Sequence, residues 1–75
     1  MENNLIMFNS VTATMKSRDL LKRHNIYARM VRTPIHLRSK SCGYSLLVTR
    51  NFKEAEKILL NNNIEILGTT AVDFR

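Results

Sequence analysis

Residues 26–49 have the sequence IYARMVRTPIHLRSKSCGYSLLVT, which is two strand-like runs separated by a polar segment. Over residues 26–32, and again over residues 43–49, apolar and polar side chains alternate with the period of two that a strand requires. Pro34 cannot donate to a β-ladder and favours an extended conformation for the residue before it, so pairing should lapse over about residues 33–42. The stretch therefore predicts two strands joined by a loop.

Upstream of these strands, the sequence predicts a strand at residues 5–8 and a helix at residues 11–24. Asn9 and Ser10 stand between them, and serine is a preferred helix N-cap. One helical stripe carries apolar or small side chains. Its members are Ala13, Ser17, Leu20, Leu21 and His24. Asn25 should end the helix, because asparagine commonly replaces glycine at the left-handed position after a helix.

Downstream, residues 51–60 predict a second helix, which Asn62-Asn63 should end, and residues 64–72 predict the last strand. Asn51 and Glu54 have the spacing of a capping box. The expected buried stripe of this helix is Phe52, Ala55, Ile58 and Leu59. Gly68 lies inside the last predicted strand, which favours a bulge or a bend there.

The predicted order is strand, helix, strand, strand, helix, strand, within a single domain spanning residues 1–75. Because crossover connections are right-handed, this order predicts the α+β class and a ferredoxin-like βαββαβ sandwich, with a four-stranded antiparallel sheet and both helices on one face. The strands are apolar on both sides over much of their length. We therefore expect the second sheet face to be uncovered by the chain itself and to form a homodimer or bind a partner.

Composition limits the function classes. The 75 residues include 12 Lys and Arg against 6 Asp and Glu, and this net charge of +6 favours anionic partners such as phosphates, acidic proteins or nucleic acid. One cysteine cannot form an internal disulfide, and no apolar run approaches the about 20 residues that cross a bilayer. We expect a cytoplasmic protein without membrane contact. His24 and His36 have no partner at metal-ligand spacing, and no phosphate-loop or dinucleotide-binding motif is present, so neither a metal nor a cofactor is expected.

The chemistry of the sequence is concentrated at Cys42, the one cysteine. In the predicted topology the first strand ends, the first helix begins and the Cys42 loop turns at one end of the sheet. The helix dipole, nearby cations and exposure would then lower the pKa of the thiol and favour the reactive thiolate. A buried structural cysteine is the alternative, since free cysteine commonly packs as a small apolar residue. The residues expected around the thiol are Ser10, Arg32, Pro34, Arg38, Ser39, Lys40, Ser41 and Gly43.

These residues resemble a small bacterial family described as selenium or sulfur carrier protein-like. The matching positions are Asn9-Ser10-Val11, Ile26 to Val31, Thr33-Pro34, Leu37, Ser39 and Ser41-Cys42-Gly43. The resemblance implies that Cys42 holds sulfur or selenium as a persulfide-type adduct, with Gly43 as its companion and Pro34 as the rigid start of the loop. Val11 departs from the family pattern, where threonine is usual, and Lys40 interrupts the serine run.

Three functions follow from these observations. The first is a thiol carrier, more a carrier protein than an enzyme, which a donor protein loads at Cys42 and an acceptor protein unloads. The second is an RNA-binding module, in which bases stack on aromatic residues of the two central strands. Phe8 and Tyr44 are its candidates, but Leu46 and Val48 occupy positions where further aromatics would stack. The third is a small dimeric adaptor or regulatory domain in which the thiol has no role.

Overall fold

The computed structural model describes residues 3–34 and 43–72. Within them the strands are β1 (Leu5–Met7), β2 (Arg29–Arg32), β3 (Tyr44–Leu47) and β4 (Gly68–Thr70), and the helices are α1 (Val11–Arg23) and α2 (Phe52–Asn61). The element order along the chain is β1-α1-β2-β3-α2-β4. This is the predicted order of strands and helices.

The four strands form one antiparallel sheet in the order β2-β3-β1-β4. The two central strands, β1 and β3, pair with Leu5 opposite Leu47 and Met7 opposite Ser45. Each helix connects two strands that are separated by a third, and α1 packs against β2, β3 and α2. The ferredoxin-like α+β prediction is therefore confirmed.

The core lies between the sheet and the two helices. Alternation along β1 and β3 directs Ile6 and Leu46 to the helices, where they pack with Phe8, Leu21 and Leu59. All five side chains are fully buried. The Cα atoms span only 15 Å along the shortest axis, which fits one layer of helices on one sheet. Neither α1 nor α2, the two helices of the described residues, has the length and apolarity to span a bilayer.

The turn residues act as the sequence predicted at three positions. Ser10 is the N-cap of α1, and its side chain accepts a hydrogen bond from the Ala13 N–H. Asn25 has a φ of 60°, the left-handed conformation expected after a helix, and so has Asn63 with a φ of 60°. These residues end the helices because they adopt this conformation more readily than most L-residues.

Several boundaries differ from the sequence prediction. The ladders of β2 and β4 are shorter than predicted, because residues 26–28 and 64–67 lie outside the strands, although the Leu67 N–H donates to the Met7 carbonyl at 2.9 Å. Gly68 is the first residue of β4 and pairs in regular register with Met7, so it is not a bulge. His24 is the exposed C-cap of α1, outside the buried stripe. Asn51 caps α2 from a left-handed conformation with no side-chain bond, so the predicted capping box is absent.

The sheet face opposite the helices is less open than predicted. Leu5 and Ser45 lie on this face and are fully buried, as is Thr33, which bonds to Ser45. Met7 and Leu47 are half-buried. The apolar surface offered by these strands is therefore smaller than the alternating pattern alone suggested.

Candidate functional site

Three chain segments converge at one end of the sheet. Met7, the last residue of β1, is opposite Ser45, and Arg32, the last residue of β2, is opposite Tyr44. The short connection after β1 leads directly to the N-cap Ser10 and the start of α1. The end of β1, the start of α1 and both stems of the segment between β2 and β3 therefore lie together, as the topology predicted.

Two contacts close the base of the segment between β2 and β3. The Thr33 N–H donates to the Gly43 carbonyl at 2.9 Å, so pairing extends one residue further than predicted. The hydroxyls of Thr33 and Ser45 lie 2.6 Å apart and form a hydrogen bond in which either can be the donor. Both side chains are fully buried. A bond shielded from water at this point fixes the separation of the two stems.

Gly43 has a backbone conformation that other residues rarely adopt. Its φ is +91°, and a Cβ built at this position would meet nothing within 4 Å. Glycine is therefore required by the backbone and not by crowding.

The first turn of α1 contributes positive electrostatic potential at this end. The Ser10 carbonyl accepts from the Thr14 N–H at 3.2 Å and from the Thr14 hydroxyl at 3.0 Å. Among the residues that the structure describes, none accepts from the N–H groups of Val11 or Thr12, and the first turn contains no acidic residue. These two amides and the helix dipole favour an anion.

The structure places four of the predicted site residues. Ser10 is half-buried at the helix cap, Arg32 is exposed at the end of β2, and Pro34 and Gly43 are half-buried at the stems. The other predicted members, namely Cys42, Arg38, Ser39, Lys40 and Ser41, lie outside the described residues. His36 lies outside them as well. The described part of the site thus consists of the two stems and the start of α1.

Sequence reasoning missed Thr33 and Ser45 as determinants of this site. The sequence gives Thr33 a place before Pro34 and in the family pattern, and it places Ser45 on the side of β3 opposite Leu46, but it pairs neither with the other. Both are hydroxyl residues next to the loop, on adjacent strands, and a β-hairpin register would have placed them on the same face. The pairing register of β2 and β3 was the missing information, because the length of the segment between the two strands does not set it.

The aromatic residues do not lie where RNA stacking needs them. Phe8 is fully buried in the core between sheet and helices. Tyr44 alternates with Ser45 and so shares the side of β3 that carries Leu46, which the helices cover. On the opposite side, β1 and β3 present Leu5, Met7, Ser45 and Leu47. The described part of the two central strands therefore offers no stacking platform on its free face.

Within residues 3–34 and 43–72, no group of three His, Cys, Asp or Glu residues could hold a metal ion. The ion pair among these residues joins Arg18 Nε to Asp19 Oδ1 at 3.6 Å, and both side chains are largely exposed. A pair of this kind contributes little to folding, because water competes for both charges. At the site end, the described residues contribute the exposed Arg32 guanidinium and the amides of the first turn of α1.

Comparison with known proteins adds one finding. No curated protein and no solved structure matches the chain. The sequence profile of the family described as "putative Se/S carrier protein-like" matches residues 3–70. The match runs from the residues before β1 to the end of β4, and it includes the stems, the helix start and Cys42. The chain therefore belongs to the Se/S carrier protein-like family.

Proposed function

We propose that this protein carries sulfur or selenium on Cys42 between a donor protein and an acceptor protein. The observation that supports this most directly is the family match over residues 3–70, which contains one cysteine. Cys42 is joined to Gly43, whose position at the helix-start end of the sheet is fixed by its bond to Thr33. The proposed function depends on the thiolate of Cys42 and on no metal or cofactor.

The transfer step is a thiol exchange without net oxidation or reduction. The Cys42 thiolate attacks the outer sulfur of a donor persulfide, R–S–SH, and displaces the donor as its thiolate, R–S⁻. The product is a persulfide on Cys42. An acceptor nucleophile then attacks the terminal sulfur and releases the Cys42 thiolate again. With a donor that carries selenium in the outer position, the same step transfers selenium.

The surroundings of the stems support a low pKa for this thiol. Backbone amides at the start of α1 and the exposed Arg32 guanidinium stabilise negative charge at this end of the sheet. Arg38 and Lys40 are close to Cys42 in the sequence and add two further cations. A thiolate carrier requires a reducing compartment in which it is not trapped as a disulfide, so we place this function in the cytoplasm.

Direct loading tests the proposal. Purified protein is mixed with glutathione persulfide, and intact mass and peptide mapping are compared for the wild type and the Cys42→Ser variant. The wild type should gain the mass of one sulfur on Cys42 and lose it on reduction, while the variant should gain nothing. Alkylation rates across pH should give a Cys42 pKa below the free value of about 8.5. No loading, or a pKa at or above that value, overturns the carrier function.

Alanine substitutions at the two glycines test whether the backbone conformation of Gly43 presents the Cys42 thiol. Gly43→Ala forces a Cβ into a left-handed conformation, which costs about 1–2 kcal/mol, and should slow loading because the residue next to the thiol is displaced. Gly68→Ala is the control, since its Cβ would meet only the flexible end of Met7 at 3.3 Å. It should leave loading unchanged. Equal loading by both variants would show that the conformation of Gly43 does not present the thiol.

The alternative of a dimeric adaptor is addressed by the same preparations. Its support is the apolar surface that remains on the free sheet face, where Met7 and Leu47 are half-buried. Light scattering of the wild type measures the association state. A dimer whose stability is independent of Cys42, in a protein that does not load sulfur, would favour the adaptor over the carrier.

A further inference from the structure

Charge is unequally distributed between the two halves of the molecule. The segments α1 and β2 carry six basic side chains, namely Lys16, Arg18, Lys22, Arg23, Arg29 and Arg32, and one acidic side chain, Asp19. Residues 51–72, which include α2 and β4, carry two basic and three acidic side chains. The net charge of the described residues is therefore concentrated on the α1–β2 half. A field of this kind accelerates association with an acidic partner.

One flank of α1 meets the edge strand β2 on that half. Val11, Met15 and Arg18 recur at intervals of four and three residues, so they share one side of the helix. Arg18 Nη1 lies 3.9 Å from the Met30 sulfur on β2. This side of the helix therefore faces β2, which is an edge strand of the sheet. The helix α1 and the strand β2 run in opposite directions. Moving back along the helix from Arg18 to Met15 and then to Val11 therefore leads towards Arg32, the last residue of β2.

This flank has an apolar centre. Val11 is 39% exposed, Met15 is 44% exposed and Tyr44 is 38% exposed, although all three are large apolar or aromatic residues. Tyr44 is paired with Arg32 and stands on the helix side of the sheet. We define the docking flank as Val11, Met15, Arg18, Met30, Arg32 and Tyr44. It adjoins the stems between which Cys42 lies in the chain.

We propose that the docking flank binds the acidic surface of the protein that exchanges sulfur or selenium with Cys42, an inference that rests on the proposed function. An apolar centre with charged residues around it is the usual composition of a protein interface. Methionine adapts to different apolar partners at such surfaces. Tyr44 is the single aromatic member of the flank and Val11 and Met15 offer no stacking plane for further bases, which disfavours RNA as the occupant.

Site-specific photocrosslinking in the host tests this surface. The photoreactive residue p-benzoylphenylalanine replaces Met15 in one variant and Leu60 in another. Leu60 is the matched control, because it is an apolar residue of α2 that is 57% exposed on the opposite half. The Met15 probe should give a protein adduct that the Leu60 probe does not give. The adduct is identified by mass spectrometry, and the protein found is purified for direct binding measurements.

Charge reversal separates specific docking from chance capture. Arg18→Glu with Arg32→Glu should weaken the adduct and the binding of the purified partner by about tenfold, because two cations that face the acidic surface become anions. Lys53→Glu with Lys57→Glu is the control and reverses two exposed cations on α2. This control variant should change neither the yield of the adduct nor the binding of the purified partner. Thermal melting of each variant verifies that it is folded.

Four results overturn the docking flank. They are equal adducts from Met15 and Leu60, an adduct indifferent to the reversal of Arg18 and Arg32, an adduct removed by ribonuclease, and an adduct with the mass of two copies of this chain. Loading from glutathione persulfide requires no protein partner. Its failure therefore overturns the carrier function, whereas normal loading with failed crosslinking overturns the docking flank alone.

Discussion

The two strand–helix–strand halves of this protein have the same order of elements but different helix interiors. In the first half, α1 buries Thr14 and Ser17 together with Leu21, and its mean hydropathy is low. In the second half, α2 buries Ala55, Ile58 and Leu59. Burial of apolar area thus stabilises α2 more than α1, whose buried stripe includes two hydroxyl residues that bond back to the Ser10 and Ala13 carbonyls. The half with the weaker apolar stripe is the half that supplies the helix start at the candidate site.

The largest expected contrast between the halves is in their buried helix residues. Leu59→Ala removes a fully buried side chain from the core and should lower the free energy of unfolding by about 2–5 kcal/mol. Ser17→Ala removes a hydroxyl that bonds only the Ala13 carbonyl of its own helix at 2.7 Å. Because alanine has the higher helix propensity, stability should change by less than about 1 kcal/mol. Urea unfolding measures both.

A chain of this size has limited stability, and the loss expected from Leu59→Ala is large in comparison. A less disruptive substitution in α2 is therefore measured as well. Ile58→Val shortens a buried residue of the same helix by one methylene and should cost about 0.5–1.5 kcal/mol. If Ser17→Ala proves as harmful as Leu59→Ala, the two helices are held in the same way and the contrast between the halves is wrong.

The sequence predicted the architecture because its strongest signals were local and mutually consistent. The alternation through Met30 and Leu46, the stripe of α2 and the asparagine stops were all confirmed. Strand lengths were overestimated at β2, β3 and β4, since the alternation of side chains continues into residues that lie outside the strands. His24 fitted the stripe of α1 by its spacing, but the helix ends before it and exposes it.

The candidate site was predictable in its topology but not in its detail. The meeting of β1, the start of α1 and the stems follows from the order of elements, and Ser10 and Gly43 were recognisable from their chemistry. The hydrogen bond between Thr33 and Ser45 depends on the pairing register of β2 and β3, which residue types do not fix. Asn51 was misread because its spacing to Glu54 fits a capping box, while its backbone adopts a left-handed conformation instead.

The second expected contrast is at the junction of the halves, where β2 and β3 share a buried hydroxyl pair. Thr33→Val leaves the buried Ser45 hydroxyl without the Thr33 hydroxyl as its hydrogen-bond partner. The variant should therefore lower the free energy of unfolding by about 1–3 kcal/mol. Adding Ser45→Ala removes the stranded hydroxyl, so the double variant should lose less than the sum of the two single variants. A double-mutant cycle from urea unfolding measures the coupling.

The rate of persulfide loading of Cys42 provides a second, independent measurement of the role of the Thr33–Ser45 hydrogen bond. If the Thr33–Ser45 bond sets the separation of the stems, Thr33→Val should slow persulfide loading of Cys42 even in conditions where the protein is fully folded. Strict additivity of the two substitutions, with unchanged loading, would mean that the pair neither couples the halves nor positions the loop.

The smallest expected contrast compares the two helix caps. Ser10→Ala removes the side chain that accepts from the Ala13 N–H at 3.1 Å, and should cost about 1 kcal/mol. Asn51 makes no side-chain cap bond and has a φ of 57°, so Asn51→Gly loses no bond and places glycine where a Cβ is unfavourable. It should change stability by no more than about 0.5 kcal/mol. Thermal unfolding of both variants makes the comparison, and a greater loss from Asn51→Gly would mean that the second helix depends on its cap more than the first.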